Sequence, residues 1–563
     1  VRKRNDDTKE AVVKTVLGVL KKYQSLSAER IEHYNTNKKW FAGDKGVMEW
    51  SDDKWMSSTM ANILEANIRT IVAILTDSKP IMRVVGMPFK KLDEQGLIEM
   101  QALQENLDNG LGHVWRVCDM HKKMKKTALD GCLKGTMCGR VYWDKEEYGG
   151  LGEIRIEPVP AENIFFDPTV SDINLEDGSC DWFIYATLKP LTWFQYYWPG
   201  KKVDPFEEDE QKFGRRTKKA TEKGLYVEAY KADYDIEEQK AIDSGGSMTG
   251  RKRKYPKGRK IIIGTKTLLE DEPLDVFPFI VEPIADTSGS LLGTDDVYRQ
   301  IQLQIELNES LARISQNLAL SSTRQTAGDD NCGLDMEEWG NEAAKPGMHF
   351  ALKGGATVDD FRNHFMVLDT PGISQESFQW PFMVKEFMEM VTGVTKLIQG
   401  LAGKKERQTG FEIGKMLETA TIRLRERAAH IEEYIRKLGL TCLEYMKLYY
   451  TEERDLWYID EATGDQVLSS GFNFAEASKI IGVDSPEDFE FDVQVHPDST
   501  LPIDLNSMAE LAMKLKEMGV IKNAEVLKRT HYPDQQAAMP DEMPGGGAPM
   551  PAGPPGAPPM GGM

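Results

Sequence analysis

The chain has 563 residues, 90 of them acidic and 70 basic, for a formal charge of −20; so acidic a surface excludes a general nucleic-acid glue and leaves only locally basic patches for phosphate contacts. The length allows several domains or one large segmented one, and six scattered cysteines (Cys118, Cys132, Cys138, Cys180, Cys332, Cys442) fit a reducing compartment rather than a disulfide framework. No apolar run reaches the roughly 18 residues of a membrane span, and Val1 to Asp7 has no apolar signal core, so a soluble protein working where it is made is expected.

Taken in order, residues 8 to 34 carry Val12, Val13, Val16, Leu17, Leu20 and Tyr23 at helical spacing, and Met60 to Leu75 form a second such segment before Pro80. Trp40, Trp50 and Trp55 lie in a polar stretch between them and read as loop anchors. A third helical region runs from Leu97 through Leu133, with interruptions expected at Gly110 and Gly112 and an end at Gly135. From Cys138 the pattern shortens to strands: Arg140 to Trp143, Glu153 to Glu157, Asn163 to Pro168 and Trp182 to Ala186, then Tyr226 to Ala232 and Ile261 to Thr265. The basic run Arg251 to Lys254, with Lys257, Arg259 and Lys260, reads as a solvated hairpin tip, with contact to phosphate or an acidic neighbour as the alternative.

A helix from about Thr294 to Ser321 follows, its apolar stripe broken by Asn308 and Ser315; polar residues there are expected to face neighbouring copies in a partly wet bundle. Irregular chain from Thr323 to Ser374 holds the strand-like pieces Met348 to Leu352 and Phe365 to Leu368, and a helix returns with Val384, Phe387, Met388, Val391, Val394 and Ile398. Next comes the loop 399–410, where Gly400, Gly403 and Gly410 loosen the backbone and Lys404, Lys405 and Arg407 outnumber Glu406.

Thr409 and Glu412 then form a capping box. Apolar residues recur at Ile413, Leu417, Ala420, Leu424, Ala428, Ile431, Ile435, Leu438 and Cys442, which predicts one helix of about 40 residues and about 60 Å. Strands resume at Leu456 to Ile459 and Phe489 to Val495, and two short helices follow, one carrying Leu505 to Leu515 and one near Ala524 to Thr530. The stretch 539–563 holds eight prolines, seven glycines and five methionines, a composition expected to stay disordered.

Chemistry is sparse. Gly264 to Thr267 resembles the end of a phosphate-binding loop, but Gly258 is one residue too far upstream. Asp329 to Gly333 places its glycine one position early for a calcium loop. Cys118, Cys132, Cys138, His113 and His121 match no standard zinc spacing and read as core cysteines and surface histidines. No catalytic residue, metal site or cofactor is expected, although carboxylates gathered by the fold into a nuclease site would not show in a linear sequence.

The order of these elements resembles that of the portal proteins of tailed double-stranded DNA bacteriophages, over nearly the whole chain. Asn62 to Pro80 is similar to the family's early wing helix, and Gly152 to Pro168, with Pro158 to Pro168 in it, to a frequent β-wing segment. The long helix, with Ala420 to Arg427, resembles the tunnel helix, and His496 to Pro502 the lead-in to a crown, here short. The resemblance implies an α+β portal-type fold: a mixed α/β wing over 1–290, an outgoing stem helix over 291–321, a small β-containing clip over 322–375 and a returning stem helix over 376–398. It further implies a tunnel loop over 399–410, a tunnel helix over 411–450, C-terminal wing strands over 451–497, short crown helices over 498–535 and a tail over 536–563.

It also implies a homo-oligomeric ring, usually of twelve copies, at a capsid vertex of the virion, assembled in the host cytoplasm. Double-stranded DNA enters and leaves through it, and terminase, head-tail adaptor proteins, the major capsid protein and a scaffolding protein are its partners; no membrane is involved. In such a ring an acidic wall repels the DNA backbone, and Lys404, Lys405 and Arg407 on the glycine-hinged loop would supply sequence-independent phosphate contacts; the alternative is a plain solvated helix connection. A virion scaffold without a channel, or a metal-dependent nucleic-acid enzyme, are the competing readings.

Overall fold

A computed structural model describes residues 2–48, 58–77, 80, 82–88, 94–206, 223–232, 236–238, 251–253, 255–287, 290–322, 326–329, 332–342, 350–355, 357–368, 373–394, 410–459, 466–472, 489–495, 513 and 516. The chain divides into two compact units, Val1–Leu456 with Ser469–Pro502, and Trp457–Leu468 with Ile503–Met563. In the second unit the described residues are 457–459, 466–468, 513 and 516, so the two short helices expected after Leu505 lie outside the described residues apart from Met513 and Lys516, both helical.

Two helices open the first unit, α1 (Arg2–Leu26) and α2 (Ala28–Ala42), followed by α3 (Ile63–Leu75), β1 (Met82–Pro88), α4 (Glu94–Val117) and α5 (Met120–Lys134). Trp40 belongs to α2 and is buried in the main core rather than anchoring a loop; Trp50 and Trp55 lie outside the described residues. Gly110 and Gly112 do not break α4. Gly110 packs against Met446, whose nearest atoms lie 3.4 Å from where a Cβ would stand. The break falls instead at Asp119, which adopts a left-handed conformation with φ 51°, and α5 ends as expected on Gly135, with φ 79°.

The β region follows as β2 (Thr136–Asp144), β3 (Glu153–Pro158), β4 (Ile164–Phe165), β5 (Trp182–Pro190), the short α6 (Leu191–Tyr197), β6 (Lys223–Lys231), β7 (Ile236–Glu238), β8 (Arg251–Arg253), β9 (Arg259–Gly264), β10 (Thr267–Pro273) and β11 (Phe279–Pro283). One antiparallel sheet has the order β10-β9-β6-β5-β4 and another β11-β2-β3. Alternation along β5 sorts its side chains: Ile184 and Ala186 meet Val13, Val16, Leu20 and Tyr23 of α1, while Phe183 turns to the opposite core beside Phe277 and Phe279. The basic run at 251 is a hairpin strand whose Arg251 and Lys252 stand opposite Glu238 and Glu237 of β7.

The chain then goes out and back. Helix α7 (Tyr298–Ser322) leads to β12 (Thr326–Gly328), α8 (Met336–Glu342), α9 (Val358–His364) and β13 (Phe365–Val367), and α10 (Gln375–Thr392) returns. Strands β12 and β13 pair antiparallel around Trp339, which packs on Phe350 and Phe365. The stretch 350–352 is not a strand.

Asn308 does not serve a neighbouring copy. With Gln300 and Gln304 it forms a fully buried row at every fourth residue of α7, and the row meets the start of α3. Asn67 donates to Gln300 Oε1 (3.2 Å), Leu64 N–H to Gln304 Oε1 (3.1 Å) and Ala61 N–H to Asn308 Oδ1 (3.1 Å). A helix start leaves N–H groups without intrahelical acceptors; Gln304 supplies one for Leu64, and Asn308 one for Ala61 just before the helix.

After α10 come α11 (Gly410–Tyr449), β14 (Arg454–Ile459), β15 (Gln466–Phe472) and β16 (Phe489–Val495). Strand β16 pairs antiparallel with β1 from the far end of the chain, and Gly439 of α11 lies directly on Val493 of β16.

Candidate functional site: the long helix and its clamp

The 40 residues of α11 make a rod of about 60 Å. From Leu424 onward its apolar stripe, Leu424, Ala428, Ile431, Ile435, Leu438, Cys442 and Met446, is buried in the main core against α3, α4, β2 and β3. Gly139 of β2 permits the closest approach: any side chain there would collide with the Tyr434 hydroxyl.

Beside the stripe, basic groups on α11 reach carboxylates on other elements of the chain. Arg427 holds Asp296 with two nitrogens, Nε to Oδ2 at 3.1 Å and Nη2 to Oδ1 at 2.5 Å, both side chains being buried. One turn on, His430 Nδ1 lies 3.2 Å from Glu282 Oε1 and its Nε2 3.6 Å from Asp286. Lys437 Nζ donates to the other Glu282 oxygen at 2.7 Å. Arg436 joins Glu433 on its own helix to Asp492 of β16. Burial alone would raise the Glu282 pKa, but the hydrogen bonds from His430 and Lys437 hold it below the ordinary carboxylate value. The same bond raises His430 above its usual 6.5 against the opposing effect of burial, with Asp286 adding to it.

A second lock closes the far end. The Tyr450 hydroxyl donates to Glu153 Oε1 at 2.5 Å, His113 Nε2 stands 3.2 Å from Glu153 Oε2, and the Arg454 guanidinium lies 3.7 Å from the Tyr450 ring centroid. Burial favours the neutral acid at Glu153, yet the His113 and Tyr450 hydrogen bonds bring its pKa below the usual value. His113 is therefore a buried partner of Glu153 and not the surface histidine expected from the sequence, whereas His121 is exposed. All six cysteines are free and buried. Among the described residues no group of three or more His, Cys, Asp or Glu side chains could hold a metal ion, and no helix is long and apolar enough to cross a membrane.

Of the site residues read from the sequence, Gly400, Gly403, Lys404, Lys405, Arg407 and Thr409 lie outside the described residues; Gly410 and Glu412 fall in the first turn of α11. The sequence reading missed Arg427, His430 and Lys437 as a set. Their signal is a row of basic residues along the edge of the apolar stripe, but the acceptors Asp296 and Glu282 are 131 and 148 residues away from Arg427 and His430.

What this geometry defines is a mechanical part, a long rod whose C-terminal half is fixed on a mixed α/β body. The described residues are 52% helix and 22% strand, a mixture compatible with a portal fold. A family model, that of the phage P22-like portal proteins, matches residues 59–496, more than three quarters of the chain. The chain belongs to this family and is a phage portal protein. Membership implies a structural role rather than a catalytic one, homo-oligomeric assembly, and a place at the capsid vertex of the virion. No curated protein matches the chain.

Proposed function

We infer that copies of this portal protein close into a dodecameric ring through which the double-stranded DNA genome is packaged and ejected. In this reading the α/β body is the wing, α7 and α10 are the outgoing and returning stem helices, the segment between them is the clip, and α11 is the tunnel helix. Terminase and head-tail adaptor proteins dock on the clip, and the major capsid protein surrounds the wing. Family membership supports the reading. The observation that carries the ring is α10: Phe378, Trp380, Phe382, Met383, Phe387, Met390 and Val391 are between 41 and 71% exposed on an 18-residue helix, an apolar surface that a lone soluble chain does not leave in water.

Light scattering and negative-stain imaging of the purified protein test this: rings with a central hole at least as wide as a DNA duplex are expected, and monomers or solid particles would overturn it. The loop before α11 brings Lys404, Lys405 and Arg407 to the DNA, where they make screened phosphate contacts. Replacing Lys404 and Lys405 by Glu is expected to leave rings intact and weaken retention of packaged DNA. Unchanged retention would remove the loop from the mechanism.

A further inference from the structure

Helix α5 breaks two local rules at once. From Met120 to Lys126 it holds four lysines and a histidine and no acidic residue. The positive end of the helix dipole disfavours cations there, and Asp119, held in the left-handed conformation before the first turn, makes no side-chain cap. Lys122 and Lys125 are also a turn apart, as are Lys122 and Lys126, and like charges at those spacings repel. The fold does not compensate. Of the four lysines only Lys123 is used within the chain, its ammonium donating to the Ile156 carbonyl at 2.6 Å. Lys122, Lys125 and Lys126 are exposed, and among the described residues none of them has an ion pair or hydrogen bond. The single acidic residue of the helix, Asp130, is held by Lys134 at 2.9 Å.

At about 100° per residue, these three lysines fall within an arc of about 100° and span about 6 Å along the axis. The arc lies opposite the buried Met120, Met124 and Thr127. An extended acidic segment shows a carboxylate to one side only at every second residue, about 6.6 Å apart, and so meets two of the lysines at most. A duplex strand brings a phosphate every 3.4 Å or so of its axis, and the two strands together one charge per about 1.7 Å. We propose that Lys122, Lys125 and Lys126 form a sequence-independent contact surface for duplex DNA, in addition to the loop 399–410. Lysine suits that task, being a compact charge on a flexible stem that needs no fixed partner geometry. Phosphates seated on α5 would relieve both the mutual repulsion and the unfavourable dipole. That DNA is the anion rests on the proposed passage of the genome through the protein; the unpaired charge does not.

Fluorescence anisotropy of a labelled duplex of arbitrary sequence, titrated with the full-length protein between about 50 and 200 mM salt, tests this. Each neutralised phosphate contributes about 0.9 to the slope of log K against log salt. A Lys122→Gln, Lys125→Gln, Lys126→Gln triple variant is therefore expected to bind more weakly, with a slope shallower by about 2.7. A slope equal to that of the wild type would overturn the proposal. The Tm of the triple variant should equal or exceed the wild-type value, because repulsion is relieved; a lower Tm would show that the lysines serve the fold and would overturn it as well. A peptide of glutamates is the second probe. If the wild type binds it as tightly as the duplex, with the same loss in the triple variant, DNA gives way to an acidic protein partner. Lys404→Gln with Lys405→Gln separates the two surfaces: a shallower slope in this double variant beside an unchanged one in the triple variant would remove the α5 contact and leave the DNA conduit standing. No binding of the wild type to the duplex at the lowest salt would overturn both contacts.

Discussion

Helices α11 and α10 both carry an apolar stripe, yet one chain completes the first and leaves the second unfinished. From Leu424 on, α11 has its apolar face covered by α3, α4, β2 and β3 and its basic edge paired with Asp296 and Glu282. Helix α10 buries a single narrow stripe and leaves both flanks apolar and exposed. A surface finished within the chain stabilises the fold of one copy, whereas a surface left open contributes only when another copy covers it. Substitutions in the two places should therefore have separable effects, on folding for α11 and on assembly for α10.

The strongest break of that contrast is Arg427→Met. It strands the buried Asp296 carboxylate, and loss of one partner of a buried pair costs about 3–5 kcal/mol; urea unfolding should show this, and Asp296→Leu added to Arg427→Met should recover part of it. Next, Asn308→Ala leaves the Ala61 N–H and a Gln304 amide hydrogen without their acceptor, expected to cost about 1–3 kcal/mol by the same measurement. A wild-type unfolding midpoint for this variant would show that the amide row only fills space.

A smaller, pH-dependent effect sharpens the clamp. His430 has a raised pKa, so its contribution is fully present below 6.5 and is lost as pH rises through its higher folded value. Glu282 has a lowered pKa, so its contribution is present above 4.5 and is lost as pH falls through its folded value. Both act between pH 4.5 and 6.5. The groups facing His430 are Glu282, Asp286 and Glu426. His430→Gln should therefore lower Tm most within that window, with the difference from wild type shrinking as pH rises beyond it; a constant difference up to pH 9 or so would remove His430 from the clamp. The smallest folding effect belongs to α10. Met390→Ser, at a position 60% exposed, should shift the stability of the dissociated chain by no more than about 0.5 kcal/mol while reducing assembly seen by light scattering.

Much of the architecture was legible because helix and strand periods are local. The spacing from Ile413 to Cys442 announces a single long helix, and the structure runs it from Gly410 to Tyr449. The alternation around Trp182 and Ile261 likewise marks strands of one sheet. The misreadings share a cause. Gly110 reads as a helix breaker because its low propensity is visible, whereas the packing of α4 against Met446 and Leu456 is not. Asn308 reads as a contact for another copy because a polar residue in an apolar stripe asks for a partner, and that partner, Ala61, lies 247 residues earlier. His113 passes for a surface residue because Glu153 and Tyr450, which allow its burial, come from two other elements.

By itself, the sequence determined the kinds and order of the elements, the long rod among them, since backbone propensity and the three-to-four and two-residue periods act between near neighbours. Only the tertiary structure decided which polar groups could go inside and which apolar flank stayed outside. A charge or amide is buried without large cost only where a complementary group arrives from elsewhere in the chain, and the open flanks of α10 are what remains once α3 and α7 have covered its inner face.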